Sequence, residues 1–84
     1  IGNDLQIQFI YFANFSNANL QNANFSNAHL RFSGFYEADL TNADLSGADL
    51  TKAFLGEADL SNANLDGAIL DDAVLTCKNH PVCD

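Results

Sequence analysis

The chain has 84 residues, a net charge of −8 and an apolar content of 48%. A chain of this length forms one domain at most and lies near the lower limit for a self-sufficient hydrophobic core. The charge disfavours direct binding to nucleic acid or anionic lipid, because those ligands require lysine and arginine to neutralise phosphate. The longest apolar run, 9–13, is too short to cross a bilayer, so we expect no membrane insertion.

Within residues 1–12, the segment 5–12 is the most β-prone and most apolar stretch of the chain. Weak copies of the repeat described below extend into residues 1–12, at 3–5 and 8–10. We therefore predict a degenerate coil that caps the N-terminal end, continues an upstream segment, or pairs end to end with a second copy as a homodimer. The first residue, Ile1, indicates a processed chain or a fragment.

A five-residue repeat occupies 13–77. Every fifth residue from Ala13 to Ala73 is alanine, with a single serine, and a leucine or phenylalanine follows each of them two positions later, from Phe15 to Leu75. Five steps on an α-helix turn the apolar position about 140° from its predecessor, and a straight strand would move it to the opposite face. The pattern is explained if the chain turns a corner in every pentad, so that both residues of the pair point inward. The other positions are rich in Asn, Asp, Ser, Thr and Gly, which favour turns.

The segments 38–42 (Ala-Asp-Leu-Thr-Asn) and 43–47 (Ala-Asp-Leu-Ser-Gly) resemble the A-[DN]-L-x-x unit of the pentapeptide-repeat family. The resemblance implies an all-β fold, a right-handed quadrilateral β-helix with four pentads, or 20 residues, in each coil. The chain would then form just under four coils. The Phe-x-x-Phe motif of 12–15 recurs at 32–35, which agrees with the 20-residue coil.

The C-terminal tail, 78–84, leaves the repeat, and we predict that it forms a capping loop over the last coil. Cys77 and Cys83 enclose five residues, a loop that a disulfide closes readily. The alternatives are two free thiols or a metal site formed by Cys77, His80 and Cys83, with Asp84 as a fourth ligand. We favour the disulfide and expect no metal and no cofactor. A disulfide implies an oxidising compartment, so we predict a periplasmic or thylakoid-lumen protein. The family's abundance in cyanobacteria and its occurrence in plant chloroplasts agree with the lumen.

Two surface features could carry a function. An aromatic stripe of outward positions is a candidate protein-binding surface; it contains Phe9, Tyr11, Phe12, Phe32, Tyr36 and Phe54, with Ile69 and Val74 on the same two sides of the coil. An acidic patch, Glu37, Asp39, Glu57 and Asp59, would recruit a cation or a basic partner, or would only be a solvated face.

Catalysis has little support in the sequence. The two histidines, His29 and His80, belong to no catalytic motif, and no nucleophile elbow or phosphate-binding loop is present. We therefore predict a structural or protein-interaction module whose partner is another protein. The alternative function is a DNA-mimicking inhibitor of DNA gyrase, an activity found in the family that this sequence resembles. The acidity agrees with that alternative, but a stack of about 18 Å is short for it, and export would separate the protein from gyrase.

Overall fold

The computed structural model describes residues 12–84. The predicted N-terminal coil, its end-to-end pairing and the candidate contact residues Phe9 and Tyr11 fall outside the described part of the chain. From 14 to 78 the sides of the coil are isolated parallel bridges, one residue on each side, and residues 12–84 contain no helix and no extended strand. No segment within that range forms a helix that could cross a membrane.

The bridges form four ladders, in which each residue pairs with the one 20 positions later, except at the last bridge of ladder 2, which spans 19 positions. Ladder 1 joins Asn14, Gly34, Phe54 and Val74; ladder 2 joins Asn19, Asp39, Asp59 and Lys78; ladder 3 joins Asn24, Asp44 and Asn64; ladder 4 joins His29, Asp49 and Ile69. Backbone hydrogen bonds between coils stabilise them: the Phe35 N–H donates to the Phe54 carbonyl at 2.7 Å, and the Phe54 N–H donates to the Ser33 carbonyl at 2.9 Å. Four ladders within a 20-residue coil give the coil four sides.

The corners are tight turns that close within each pentad. The carbonyl of the large residue accepts the N–H of the next small residue, as Phe15 does from Ala18 at 3.1 Å and Leu40 does from Ala43 at 2.9 Å. The second corner residue has a positive φ, between 56° and 72° throughout 12–72. This is the pattern of a type II turn, in which glycine and asparagine tolerate the left-handed conformation best.

The second corner residues stack in four columns, which we name by the ladders that they separate. Corner A, between ladders 4 and 1, holds Phe12, Phe32, Lys52 and Asp72; corner B, between ladders 1 and 2, holds Asn17, Glu37 and Glu57; corner C, between ladders 2 and 3, holds Asn22, Asn42 and Asn62; corner D, between ladders 3 and 4, holds Asn27, Gly47 and Gly67. Corners C and D therefore contain only asparagine and glycine, whereas corners A and B do not.

The aspartate or asparagine of the repeat caps the corner that follows it. Asp39 Oδ1 accepts the Thr41 N–H at 3.1 Å and the Thr41 hydroxyl at 2.6 Å. The same arrangement joins Asp44 to Ser46, Asp49 to Thr51, Asp59 to Ser61 and Asn24 to Ser26. A side chain that hydrogen-bonds its own backbone two residues on is an Asx turn, and it explains why the repeat alternates Asp or Asn with Ser or Thr.

The small and large residues of the repeat form the core, as the sequence predicts. Leucines 20, 30, 40, 45, 50, 55 and 60 are fully buried, together with Phe25 and Phe35. The ring of Phe15 stacks on Phe35 with centroids 5.1 Å apart, and Phe25 packs edge-on against Phe35 at 6.0 Å. The last large residues, Leu65, Leu70 and Leu75, are only partly buried because no further complete coil covers them.

The C-terminal end departs from the repeat by one residue. Lys78 bridges to Asp59, 19 positions earlier, so Cys77 falls in the place where the next alanine of the column of Ala38 and Ala58 would lie. Cys77 is accordingly buried. A disulfide joins it to Cys83, which is the pairing that we favoured among the sequence alternatives.

The loop closed by this disulfide covers part of the last coil. The Val82 N–H donates to His80 Nδ1 at 3.1 Å, so His80 carries its proton on Nε2 and donates to the Ala63 carbonyl, also at 3.1 Å. The Asn79 amide donates to Asp59 at 3.0 Å, and the Asp84 N–H donates to the Leu75 carbonyl at 2.7 Å. In the preceding coil the Ala43 carbonyl accepts the N–H of Asn64. The His80 ring therefore supplies the donor that one more coil would have supplied to Ala63.

Candidate interaction face

Ladder 1 and its bordering corners A and B form the side of the coil that we call face 1. Most of the exposed large apolar side chains lie on it: Phe12, Phe32, Tyr36, Phe54 and Val74. Ile69, also exposed, lies next to it on ladder 4. Phe54 and Tyr36 are about half exposed, at 53% and 50%, although most pentads place asparagine or aspartate at the position that Phe54 occupies. The structure thus places the described members of the predicted aromatic stripe on one side of the molecule.

Corner A carries an aromatic stack. The rings of Phe12 and Phe32 lie parallel within 13°, with centroids 4.8 Å apart, which is the rise between neighbouring coils. Lys52, the next residue of the same corner, holds its ammonium 5.6 Å from the Phe32 ring centroid. The outer ring, Phe12, is 72% exposed. Corner A therefore presents a flat apolar surface formed by two stacked rings, and Lys52 makes a cation–π contact with the Phe32 ring.

Corner B combines a tyrosine with two glutamates. The Tyr36 ring lies over Gly56 one coil later, and a side chain at Gly56 would meet it at 3.4 Å. Glu37 and Glu57 follow these residues in the chain and are exposed, one coil apart in the same corner column. Within residues 12–84, no hydrogen bond or ion pair engages either carboxylate. Two neighbouring negative charges therefore border the apolar surface.

The four residues of the predicted acidic patch form two pairs with different surroundings. Asp39 and Asp59 belong to ladder 2 and cap corner turns, so their carboxylates are engaged. Hydrogen bonds from Thr41 lower the pKa of Asp39, and a hydrogen bond from the Ser61 hydroxyl, followed by one from Asn79, lowers the pKa of Asp59. These two aspartates have a structural role in the coil, whereas Glu37 and Glu57 belong to face 1.

A salt bridge on ladder 4 adjoins corner A. Arg31 Nε contacts Asp49 Oδ2 at 2.7 Å, and the Asp49 side chain is nearly buried. Burial raises the pKa of Asp49, but the hydrogen bonds from Thr51 and Arg31 outweigh burial and lower the pKa to about 2. Asp49 is therefore charged at neutral pH and holds the Arg31 side chain beside corner A.

The residues of the predicted metal alternative are committed to other contacts. Cys77 and Cys83 form the disulfide, and both ring nitrogens of His80 are hydrogen-bonded. Residues 12–84 contain no group of three or more ligating side chains that could hold a metal ion, and no pocket forms among them.

One feature of face 1 was not evident from the five-residue pattern alone. Among 12–72, the positive-φ positions held by residues other than Asn, Asp or Gly are Phe12, Phe32, Glu37, Lys52 and Glu57. All five lie in corners A and B. Sorting the position before each alanine by a 20-residue period would have revealed this segregation.

The chain matches the family model described as pentapeptide repeats over 11–47 and 38–76, with eight copies. It gives no significant match to a protein of curated function. Among solved structures it is 31% identical to the pentapeptide repeat protein Rfr23 of the cyanobacterium Cyanothece, with a TM-score of 0.49, covering 76% of this chain and 50% of that one.

A pentapeptide repeat protein of the Arabidopsis thaliana thylakoid lumen is 37% identical, with a TM-score of 0.41, covering 79% of this chain and 49% of that one. HetL, a pentapeptide repeat protein involved in heterocyst differentiation regulation in the cyanobacterium Nostoc, is 28% identical, with a TM-score of 0.32, covering 88% and 39%. The chain thus spans half or less of the length of these structures. With the repeat matched over most of its length and the 20-residue coil observed, the chain belongs to the pentapeptide-repeat family.

Proposed function

We propose that this protein is a non-enzymatic interaction module that presents face 1 to a protein partner. The observation that carries the proposal is the concentration of most of the exposed large apolar side chains on one side of the coil. Asn14 shows that a polar residue is accommodated in ladder 1, so folding does not require Phe54 or Val74 there. Clustered apolar exposure on a small acidic protein is typical of a binding surface.

We also propose that the protein works in the thylakoid lumen or the periplasm. The Cys77–Cys83 disulfide supports this location, because such bonds persist in oxidising compartments. We further propose that the coil is right-handed. We also propose that the whole chain, with the residues before 12, forms just under four coils.

The experiment that tests the function compares capture by three immobilised proteins from a lumenal or periplasmic extract. The proteins are the wild type, a Phe54→Asn/Tyr36→Asn variant of face 1, and Asp66→Asn, a change of an exposed residue between ladders 3 and 4. We expect a partner that the wild type and Asp66→Asn retain and that the face 1 variant loses. Identical sets of retained proteins for all three would rule out face 1 as the contact surface.

The gyrase alternative rests on the negative charge, and part of that charge has a structural explanation. Of the eleven acidic residues, Asp39, Asp44, Asp49 and Asp59 cap corner turns. We expect the protein to leave DNA supercoiling by gyrase unchanged. Inhibition at micromolar concentration, retained by the face 1 variant, would favour the DNA-mimic function instead.

A further inference from the structure

We propose that face 1 recognises a protein segment in which an apolar side chain adjoins lysine or arginine. This inference rests on the interaction function proposed above. The apolar side chain would contact Phe54 and Tyr36 on the side of the coil. The cationic side chain would contact Glu37 and Glu57 at corner B.

The backbone conformation indicates that Phe32, Glu37 and Glu57 are not explained by folding. A positive φ is unfavourable for bulky or β-branched residues, and asparagine and glycine tolerate it better. Corners C and D use only those two residues, so the same turn is built there without Phe, Glu or Lys. Corners A and B, which border the apolar ladder, instead retain Phe32 at φ 63° and Glu37 and Glu57 at φ 57° and 58°. Strained positions that persist around one surface are a reason to look for a function at that surface.

The charges around face 1 favour a cationic partner. Two cations beside corner A are already engaged within the protein: Arg31 contacts Asp49 at 2.7 Å, and Lys52 lies over the Phe32 ring at 5.6 Å. The third cation, Lys78, lies on ladder 2, where it bridges to Asp59 and helps to lower the pKa of that carboxyl. Glu37 and Glu57 repel each other across one coil, and a lysine or arginine between them would relieve that repulsion. A cation there would also be attracted by the net charge of −8.

The apolar part of the surface lies directly beside these carboxylates. Ladder 1 changes from Gly34 to Phe54 within one coil, and the Tyr36 ring, half exposed, lies against Gly56, which carries no side chain. An aliphatic or aromatic side chain placed between Phe54 and Tyr36 would therefore be within a few ångströms of corner B. This adjacency is why the two chemical features belong to one short segment of the partner.

The test selects from a random dodecapeptide library displayed on phage, with the oxidised protein immobilised. We expect the retained peptides to be enriched, relative to the input library, in an apolar residue next to Lys or Arg. A Glu37→Asn/Glu57→Asn variant should keep the apolar enrichment and lose the basic one. Phe54→Asn/Tyr36→Asn should lose both. The glutamate variants place asparagine where corner C has it, so they are expected to fold.

The affinity of the most enriched synthetic peptide provides a quantitative check. Glu57→Asn should weaken it roughly threefold to tenfold, with less salt dependence than the wild type, whereas Asp66→Asn should leave it unchanged. Selected peptides that are acidic or uncharged, or that bind Glu37→Asn/Glu57→Asn equally well, would overturn the inferred partner chemistry while leaving a face 1 interaction intact. Peptides that bind Phe54→Asn/Tyr36→Asn as well as the wild type would overturn the interaction face itself.

Discussion

At the second corner position, the same backbone conformation is adopted by residues that favour the turn and by residues that contribute to the surface. Asparagine at the second corner position satisfies the turn, as Asn42 does at φ 63°. Glu57 has nearly the same φ, 58°, without the short amide side chain that makes this conformation tolerable. Stability and surface chemistry therefore make opposite demands at corners A and B.

Replacing Glu57 with asparagine should stabilise the protein. We expect the free energy of unfolding to rise by about 0.5–1 kcal/mol, because asparagine adopts the left-handed conformation at lower cost and one repulsive charge is removed. The converse change at corner C, Asn42→Glu, should lower it by a similar amount. Denaturant unfolding of both variants measures this, and a destabilised Glu57→Asn would contradict the strain argument.

The buried carboxylate of Asp49 should make stability depend on pH in the acid range. Its pKa is about 2 in the folded protein and near 3.8 without these contacts, so between those values the unfolded chain binds more protons. The free energy of unfolding therefore falls as pH drops from about 4 to about 2, by an amount on the order of 1–2 kcal/mol for this group.

Asp49→Asn removes that titration while keeping an acceptor for the Thr51 N–H, as Asn24 and Asn64 accept at other corners. Unfolding curves of the variant should show a smaller loss of stability between about pH 4 and pH 2 than the wild type. Asp66→Asn, in which an exposed carboxylate is removed, is the control. If the free energy of unfolding depended on pH in the same way for the wild type and Asp49→Asn, the folded state would not favour the charged form of the Asp49 carboxylate.

At the scale of elements, the C-terminal loop ends the coil by replacing what one more coil would contribute. Cys77 fills the alanine column, and His80 donates to the Ala63 carbonyl. An open solenoid end exposes both core side chains and unpaired backbone groups, so it needs such a cap. The sequence indicated a loop closed by two cysteines, but it did not reveal the one-residue shift of register or the role of His80.

Removing the disulfide should loosen the cap before it unfolds the coil. For Cys77→Ala/Cys83→Ala we expect a loss of about 2 kcal/mol, because the closed loop is short. Hydrogen exchange should accelerate most at the amides of Val82 and Asp84, whereas the Phe35 amide, which donates to the Phe54 carbonyl of the next coil, should stay protected nearly as before. Uniform acceleration throughout the coil would show instead that the loop and the coil unfold as one unit.

At the scale of the whole molecule, stability comes from coils stacked on their neighbours. A residue in the middle of the stack has a coil on both sides, whereas one in the last coil has a coil on one side and only partial cover on the other. Leu50 is fully buried and Leu70, directly after it in the same inward column, is only partly buried. The same substitution should therefore have different effects at the two positions.

Leu50→Ala should destabilise the protein by about 3 kcal/mol, since it removes a fully buried side chain and leaves a cavity. Leu70→Ala should cost about half as much, because its side chain is less buried and the end of the stack can relax. Thermal and denaturant unfolding of the pair measures the difference. Equal losses would mean that the C-terminal end is packed as completely as the middle.

The sequence by itself determined the five-residue repeat, the inward placement of alanine with leucine or phenylalanine, and the turn-forming character of the remaining positions. These features are local, because a small residue, a large residue and a corner recur within every pentad. Only the tertiary structure decided which distant residues share a surface. Glu37 and Glu57 lie in the same corner column because the coil brings positions 20 apart into contact. Cys77 enters the core only because the register shifts by one residue at the final bridge.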